Sequence, residues 1–137
     1  MAHARDYQRE NLYKWERKFH SKTMLTLDEC ENLIKKVFEE QRKNYRPKFR
    51  RAPKLGDGRG RRMACAEIMS HRIKLPLWAR MPEVVLHEIA HLLIPPSEET
   101  PAHGKEFLDC MMNLWVTYAG YDAEAIRADA KEAGLKF

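Results

Sequence analysis

The sequence predicts an α+β fold in one domain spanning residues 1–137, on three observations. Apolar residues recur at helical spacing near both ends of the chain. A middle stretch beginning at Tyr45 is broken by Pro47, Pro53 and the glycines within 56–60, which forbid a long helix and favour short strands. Between that stretch and Pro95-Pro96 stands a segment apolar on nearly every side, the pattern of a helix at the centre of a fold. A length of 137 residues suits one hydrophobic core but not two.

Taken in order, residues 6–20 carry Tyr7, Leu12, Tyr13, Trp15 and Phe19 among charges, which predicts an amphipathic helix packed on the core. Thr26 and Glu29 form a capping-box pair ahead of Leu27, Cys30, Leu33, Ile34, Val37 and Phe38, so a second helix is expected over 27–41. Strands are expected over 45–51, 62–69 and 72–75, with Ser70 and His71 turning the chain and Pro76 ending the last, as a three-stranded antiparallel sheet. Pro82 suits the first turn of a helix that runs to Ile94. After a loop over 95–101, a helix over 103–119 carries Phe107, Leu108, Met111, Met112, Leu114, Trp115 and Tyr118. Asp122 starts a final helix that Gly134 can close.

Composition narrows the class. An apolar fraction of 44% with 33% charged residues is that of a globular protein. No apolar run approaches the roughly 20 residues of a membrane span, and the first ten residues lack the apolar core of a secretory signal, so a cytoplasmic protein without membrane partners is expected. Cys30, Cys65 and Cys110 include no C-x-x-C pair, which argues for reduced thiols over disulfides or a cysteine zinc ribbon. Residues 42–62 hold ten basic side chains against Asp57 alone; this local +9 within an overall +5 leaves −4 elsewhere. Such a segment reads first as a solvated hairpin, although Tyr45 and Phe49 interleave with the cations as stacking residues do in nucleic-acid binding.

The chemistry lies in the central helix. His87-Glu88-Ile89-Ala90-His91 is an H-E-x-x-H sequence. A spacing of four is slightly more than one helical turn, so both imidazoles leave one face and can meet a single Zn2+ ion. Two imidazoles and a carboxylate in an otherwise apolar helix are costly to bury unless something pairs with them. Zinc lowers the pKa of a coordinated water towards roughly 7, and Glu88 is placed to take its proton and pass it to a leaving group. A catalytic zinc site needs a third protein ligand, and His103, beyond the proline-rich loop, is the first candidate. Gly104 beside it would let backbone approach closely. Glu98, Glu99 and Glu106 are rival oxygen ligands ranked below His103, with Glu106 better suited to supporting His103 than to binding metal.

His87-Glu88-x-x-His91 followed by His103-Gly104-x-x-Phe107 resembles the SprT-like (Spartan-like) zincin metallopeptidases, over about residues 60–115. Ile73-Lys74-Leu75 resembles that family's edge strand. Arg5-Asp6-x-Gln8-Arg9 with Tyr13 and Glu16 resembles, over a shorter stretch, a narrower group of small metallohydrolases of actinobacteria and their phages. The resemblance implies a zincin-like fold, zinc and hydrolysis of peptide bonds. The chain lacks the C-terminal cysteine zinc ribbon of many SprT-like proteins, and its third histidine is spaced unlike that of metzincins.

The expected function is thus a zinc-dependent hydrolase, a metalloprotease acting on a peptide or protein substrate aligned along the 63–75 hairpin. His87, His91 and His103 are the metal ligands, and Glu88 is the catalytic base. An oxyanion donor is also expected, and His71, Tyr118, Tyr121 and Arg127 all have suitable groups. Two alternatives belong to other classes: a metal-dependent hydrolase acting with nucleic acid through segment 42–62, and a non-catalytic binding protein braced by a structural metal.

Overall fold

The computed structural model describes residues 4–20 and 23–137 and shows an α+β arrangement. Helix α1 (Arg9–Glu16) continues as a 3-10 turn over Arg17–Phe19. It is shorter than the expected 6–20, because Asp6 lies ahead of it and spends one carboxylate oxygen on the backbone N–H of Gln8 at 3.1 Å. Helix α2 (Leu27–Gln41) begins where its capping box requires: Glu29 N–H donates to Thr26 Oγ1 at 3.1 Å, and Thr26 N–H donates to Glu29 Oε1 at 2.9 Å. It buries Cys30, Ile34, Val37 and Phe38.

The sheet departs from expectation in extent and direction. Its strands are β1 (Lys54–Gly56), β2 (Cys65–Glu67) and β3 (Arg72–Lys74), in the order β1-β3-β2. It is mixed: β2 is antiparallel to β3, as a tight turn over 68–71 demands, whereas β1 is parallel to β3. No strand forms over 45–51. Pro47 has no N–H to give to a ladder, and Arg46 N–H donates instead to Leu93 O at the end of the central helix, at 3.1 Å. Pairing starts only after Pro53, where Lys54 N–H donates to His71 O. The chain from β1 to β2 crosses the far end of β3 at Gly58, whose φ is +66°. A Cβ there would lie 2.6 Å from the nitrogen of Pro76, so the crossing needs glycine. Residues 73–75, expected at the sheet edge, begin in the central strand β3; β2 is the edge beside the central helix.

Helix α3 (Pro82–Leu93) takes Pro82 in its first turn and ends before Pro95-Pro96. Every residue from Glu83 to Ala90 is buried, as are Leu92 and Leu93, because α2, α4 and β2 all pack on it. Helix α4 (Lys105–Ala119) buries Phe107, Leu108, Met111, Met112, Leu114 and Trp115, and closes on Gly120 in the left-handed region at φ +79°. Helix α5 (Ala123–Glu132) is capped by Asp122, which accepts from Ala125 N–H at 2.9 Å. No helix of the described residues is long and apolar enough to cross a membrane.

Candidate metal centre and its carboxylates

Helix α3 delivers His87 and His91 to one face, with their Nε2 atoms 3.2 Å apart. That separation is close to the edge of a tetrahedron with nitrogens about 2.0–2.1 Å from its centre, which is about 3.3 Å. His103 reaches the same point from the turn ahead of α4. A ligand nitrogen from each of the three rings lies within 4.8 Å of the other two. His103 Nε2 is buried and has no hydrogen-bond partner. An orphaned nitrogen facing two others is an arrangement that could hold a cation.

Phe107 fixes the cluster from below. It stacks on His91 with centroids 4.3 Å apart and meets His87 and His103 edge-on at 5.0 and 5.1 Å. The phenylalanine one turn after His103-Gly104 thus gives all three imidazoles a rigid apolar floor. Gly104 serves differently from expectation. A Cβ on it would press on the Pro101 ring at 3.2 Å, so its bareness lets the 95–101 loop close and does not bring backbone nearer the histidines.

The N-terminal segment supplies what sequence reasoning left out. Glu16 Oε1 binds His87 Nδ1 at 2.7 Å, both groups being buried. Asp6 Oδ2 binds His103 Nδ1 at 2.5 Å. Each carboxylate accepts a hydrogen bond from Nδ1–H and turns Nε2 inward, an orientation typical of metal-ligating histidines. The segment is itself anchored. Trp15 stacks on Trp115, with centroids 5.6 Å apart, and donates to Asp129 Oδ1 at 2.7 Å. Gln8 donates to the carbonyls of His103 and Lys136 and accepts from Lys136 N–H. The resemblance had picked out Asp6, Gln8, Tyr13 and Glu16 without giving them a task. No periodicity or spacing links residues 71 and 97 positions apart in the chain.

Charge on these groups follows from burial and neighbours. Burial alone would lower the His87 value, but the Glu16 carboxylate overrides it and lifts the imidazole to about 9. Burial lowers His91 well below the usual value, helped by His87, and lowers His103 despite Asp6. Glu88 is buried on α3 beside His87, and neither of its oxygens is bonded to a described residue; burial raises it to about 7. It faces a cavity of about 420 Å3 whose walls include Tyr13, Met63, Trp78, Val84 and His87. One carboxylate at His87 is therefore committed and the other is free.

The remaining sequence candidates lie elsewhere. Glu106, expected to support His103, pairs with Arg46 at 2.6 Å on the surface, and Asp6 holds the position in its stead. Glu98 and Glu99 are exposed. His71 Nε2 binds Arg51 O at 2.5 Å between the rings of Phe38 and Phe49. Tyr118 donates to Glu40, Tyr121 to Glu83, and Arg127 to Asp109 and Asn113. None of these four suits the role of oxyanion donor. Segment 42–62 is partly spent internally: Arg42 donates to Arg50 O, Arg46 to Thr100, and Arg61 pairs with Glu67. The three cysteines are free thiols, and burial raises them all, Cys110 to about 12.

Compared with protein-family models, curated proteins and solved structures, the chain matches none.

Proposed function

We propose that this chain is a zinc-dependent hydrolase with a zincin-like site, a metallopeptidase that cleaves peptide bonds in the cytoplasm. The observation that carries the reading is the convergence of three Nε2 atoms, one of them buried without a partner, beside a buried glutamate with no bond to spend. Three converging imidazoles, two of them held at Nδ1 by carboxylates, are a ligand set suited to zinc, with a coordination position left open. Zinc held there would supply a Lewis acid that acidifies water and polarises a carbonyl.

The protein's own groups then divide the work. Glu16 and Asp6 accept hydrogen bonds from Nδ1–H of His87 and His103 and hold both rings in register. Glu88, raised to about 7, has a basicity suited to taking a proton from the attacking water and returning it to the leaving amine. The cavity beside it is lined by the apolar side chains of Met63, Trp78 and Val84, room for a substrate side chain next to the scissile bond. Edge strand β2 packs beside α3 and supplies backbone groups for an extended peptide.

The test joins metal analysis with one substitution. Purified protein should contain one zinc per chain. Glu88→Gln should keep the zinc while hydrolysis of labelled unfolded casein falls roughly 10²–10⁴-fold, the usual contribution of a positioned acid-base group. Undiminished hydrolysis by Glu88→Gln, or protein that takes up no zinc, defeats the reading.

A further inference from the structure

We propose that the hydroxyl of Tyr13 is the donor that holds the oxyanion formed as water adds to the substrate carbonyl, which makes α1 part of the catalytic machinery. The inference rests on the peptidase reading above and gives that site its missing group. Adding water to a carbonyl puts negative charge on the carbonyl oxygen, and a neutral donor waiting at that position stabilises the transition state more than the ground state. Such a donor has to border the same space as Glu88 and the inward-facing nitrogens, and its proton has to be unspent.

Tyr13 meets both conditions. Its ring lies against two of the three imidazoles, with centroids 5.6 Å from His87 and 5.4 Å from His103, and it lines the cavity that Glu88 faces. It stands on α1, so it borders that cavity from a different element than His87 and Glu88, which stand on α3. The Tyr13 hydroxyl donates to no described residue, in contrast to those of Tyr118 and Tyr121. Arg9, one turn earlier, places its guanidinium carbon 5.6 Å from the Tyr13 ring centroid and holds that face of the helix electropositive.

The step balances without further reagents. Water oxygen bonds to the carbonyl carbon, and its proton passes to Glu88. The carbonyl π pair moves onto oxygen, which accepts a hydrogen bond from Tyr13 while Tyr13 keeps its proton. When the oxygen pair returns, the C–N bond breaks, and Glu88 hands its proton to the nitrogen.

The experiment compares the zinc-loaded full chain with Tyr13→Phe, which removes one oxygen and little else. Three quantities are read: zinc content with thermal midpoint, kcat and KM on labelled unfolded casein, and the Kd of a phosphinic peptide whose tetrahedral phosphorus imitates the adduct. Zinc and midpoint should hold, kcat should fall roughly 10²–10³-fold with KM nearly unchanged, and the phosphinic peptide should bind at least about tenfold more weakly. A kcat close to wild type with unaltered phosphinic-peptide affinity overturns the assignment and leaves the peptidase reading standing. Loss of zinc in Tyr13→Phe also overturns it, because the hydroxyl would then serve to hold the histidines and not the substrate. A wild-type chain that holds zinc yet leaves casein intact counts against the peptidase reading, and the phosphinic-peptide comparison still decides the role of Tyr13.

Discussion

Helix α3 and the N-terminal segment meet at the same imidazoles with opposite kinds of residue. Helix α3 contributes His87, Glu88 and His91 within five consecutive positions, on a helix buried on nearly every side. The N-terminal segment contributes Asp6, Tyr13 and Glu16, spread along a short helix and the turn before it, with only Leu12, Trp15 and Glu16 buried on α1. In the first region a rigid helix makes the geometry, and the polar groups stand on a helix that is otherwise largely apolar. In the second, carboxylates make the geometry and depend on Trp15 and Gln8 to be held in place. A site divided in this way can be broken from either side with different signatures.

The largest effect is expected where the division is bridged. His103 belongs to neither region and joins them, its Nε2 facing the α3 histidines and its Nδ1 bound to Asp6. His103→Ala should weaken zinc binding roughly 10²–10³-fold, about a third of a binding free energy on the order of 10 kcal/mol shared by three ligands. Competition with a chromophoric chelator reads it directly. Near-native affinity would mean that the α3 pair binds metal without the turn before α4, and the bridge would lose its meaning.

Smaller losses should follow from the orienting carboxylates, and they should differ from each other. The Glu16 side chain is 8% exposed and that of Asp6 21%, so water can replace Asp6 more readily than Glu16. Glu16→Gln should cost zinc affinity towards the upper end of the roughly 10–100-fold range usual for such partners, and Asp6→Asn towards the lower end. Equal losses would show that both act through charge alone rather than by aiming a ring. In Glu16→Gln, kcat should fall with affinity once zinc is subsaturating and recover when zinc is raised, a recovery that Glu88→Gln should not show.

How much of this was legible follows from the same contrast. His87, Glu88 and His91 are local, and helix geometry converts their spacing into a shared face without knowledge of the fold. His103 was reachable because a proline-rich loop reverses the chain just ahead of it. Glu16 and Asp6 were not, because a carboxylate in an amphipathic helix looks like any solvated charge until a histidine 71 residues away is packed against it. The sheet failed for a related reason. Residues 45–51 alternate like a strand, but Pro47 and the pull of Leu93 O divert them, and β1 forms later and runs parallel to β3. In the sequence Tyr13 has the pattern of one more apolar position of α1, which its ring is and its hydroxyl is not.

His71 provides the smallest effect and the sharpest control on burial. It is 2% exposed, as buried as His87 and His103, yet it faces Phe38, Phe49 and the Arg51 carbonyl, with no second imidazole and no carboxylate on its ring. Burial lowers its ionisation below 6.5 in the folded chain. The unfolded chain then binds more protons below pH 6.5, so this contribution to stability is intact above 6.5 and is lost as pH falls from there towards the folded value. Since φ at His71 is +54°, asparagine is among the side chains that this backbone accepts best. Zinc affinity at pH 7.5 should be the same in His71→Asn and wild type. Urea unfolding at pH 7.5 and 5.5 should show a smaller loss on acidification in the variant, and the difference should persist with a chelator present. A chelator that erased it would tie His71 to the metal centre, and burial would then no longer suffice to explain a neutral histidine in this fold.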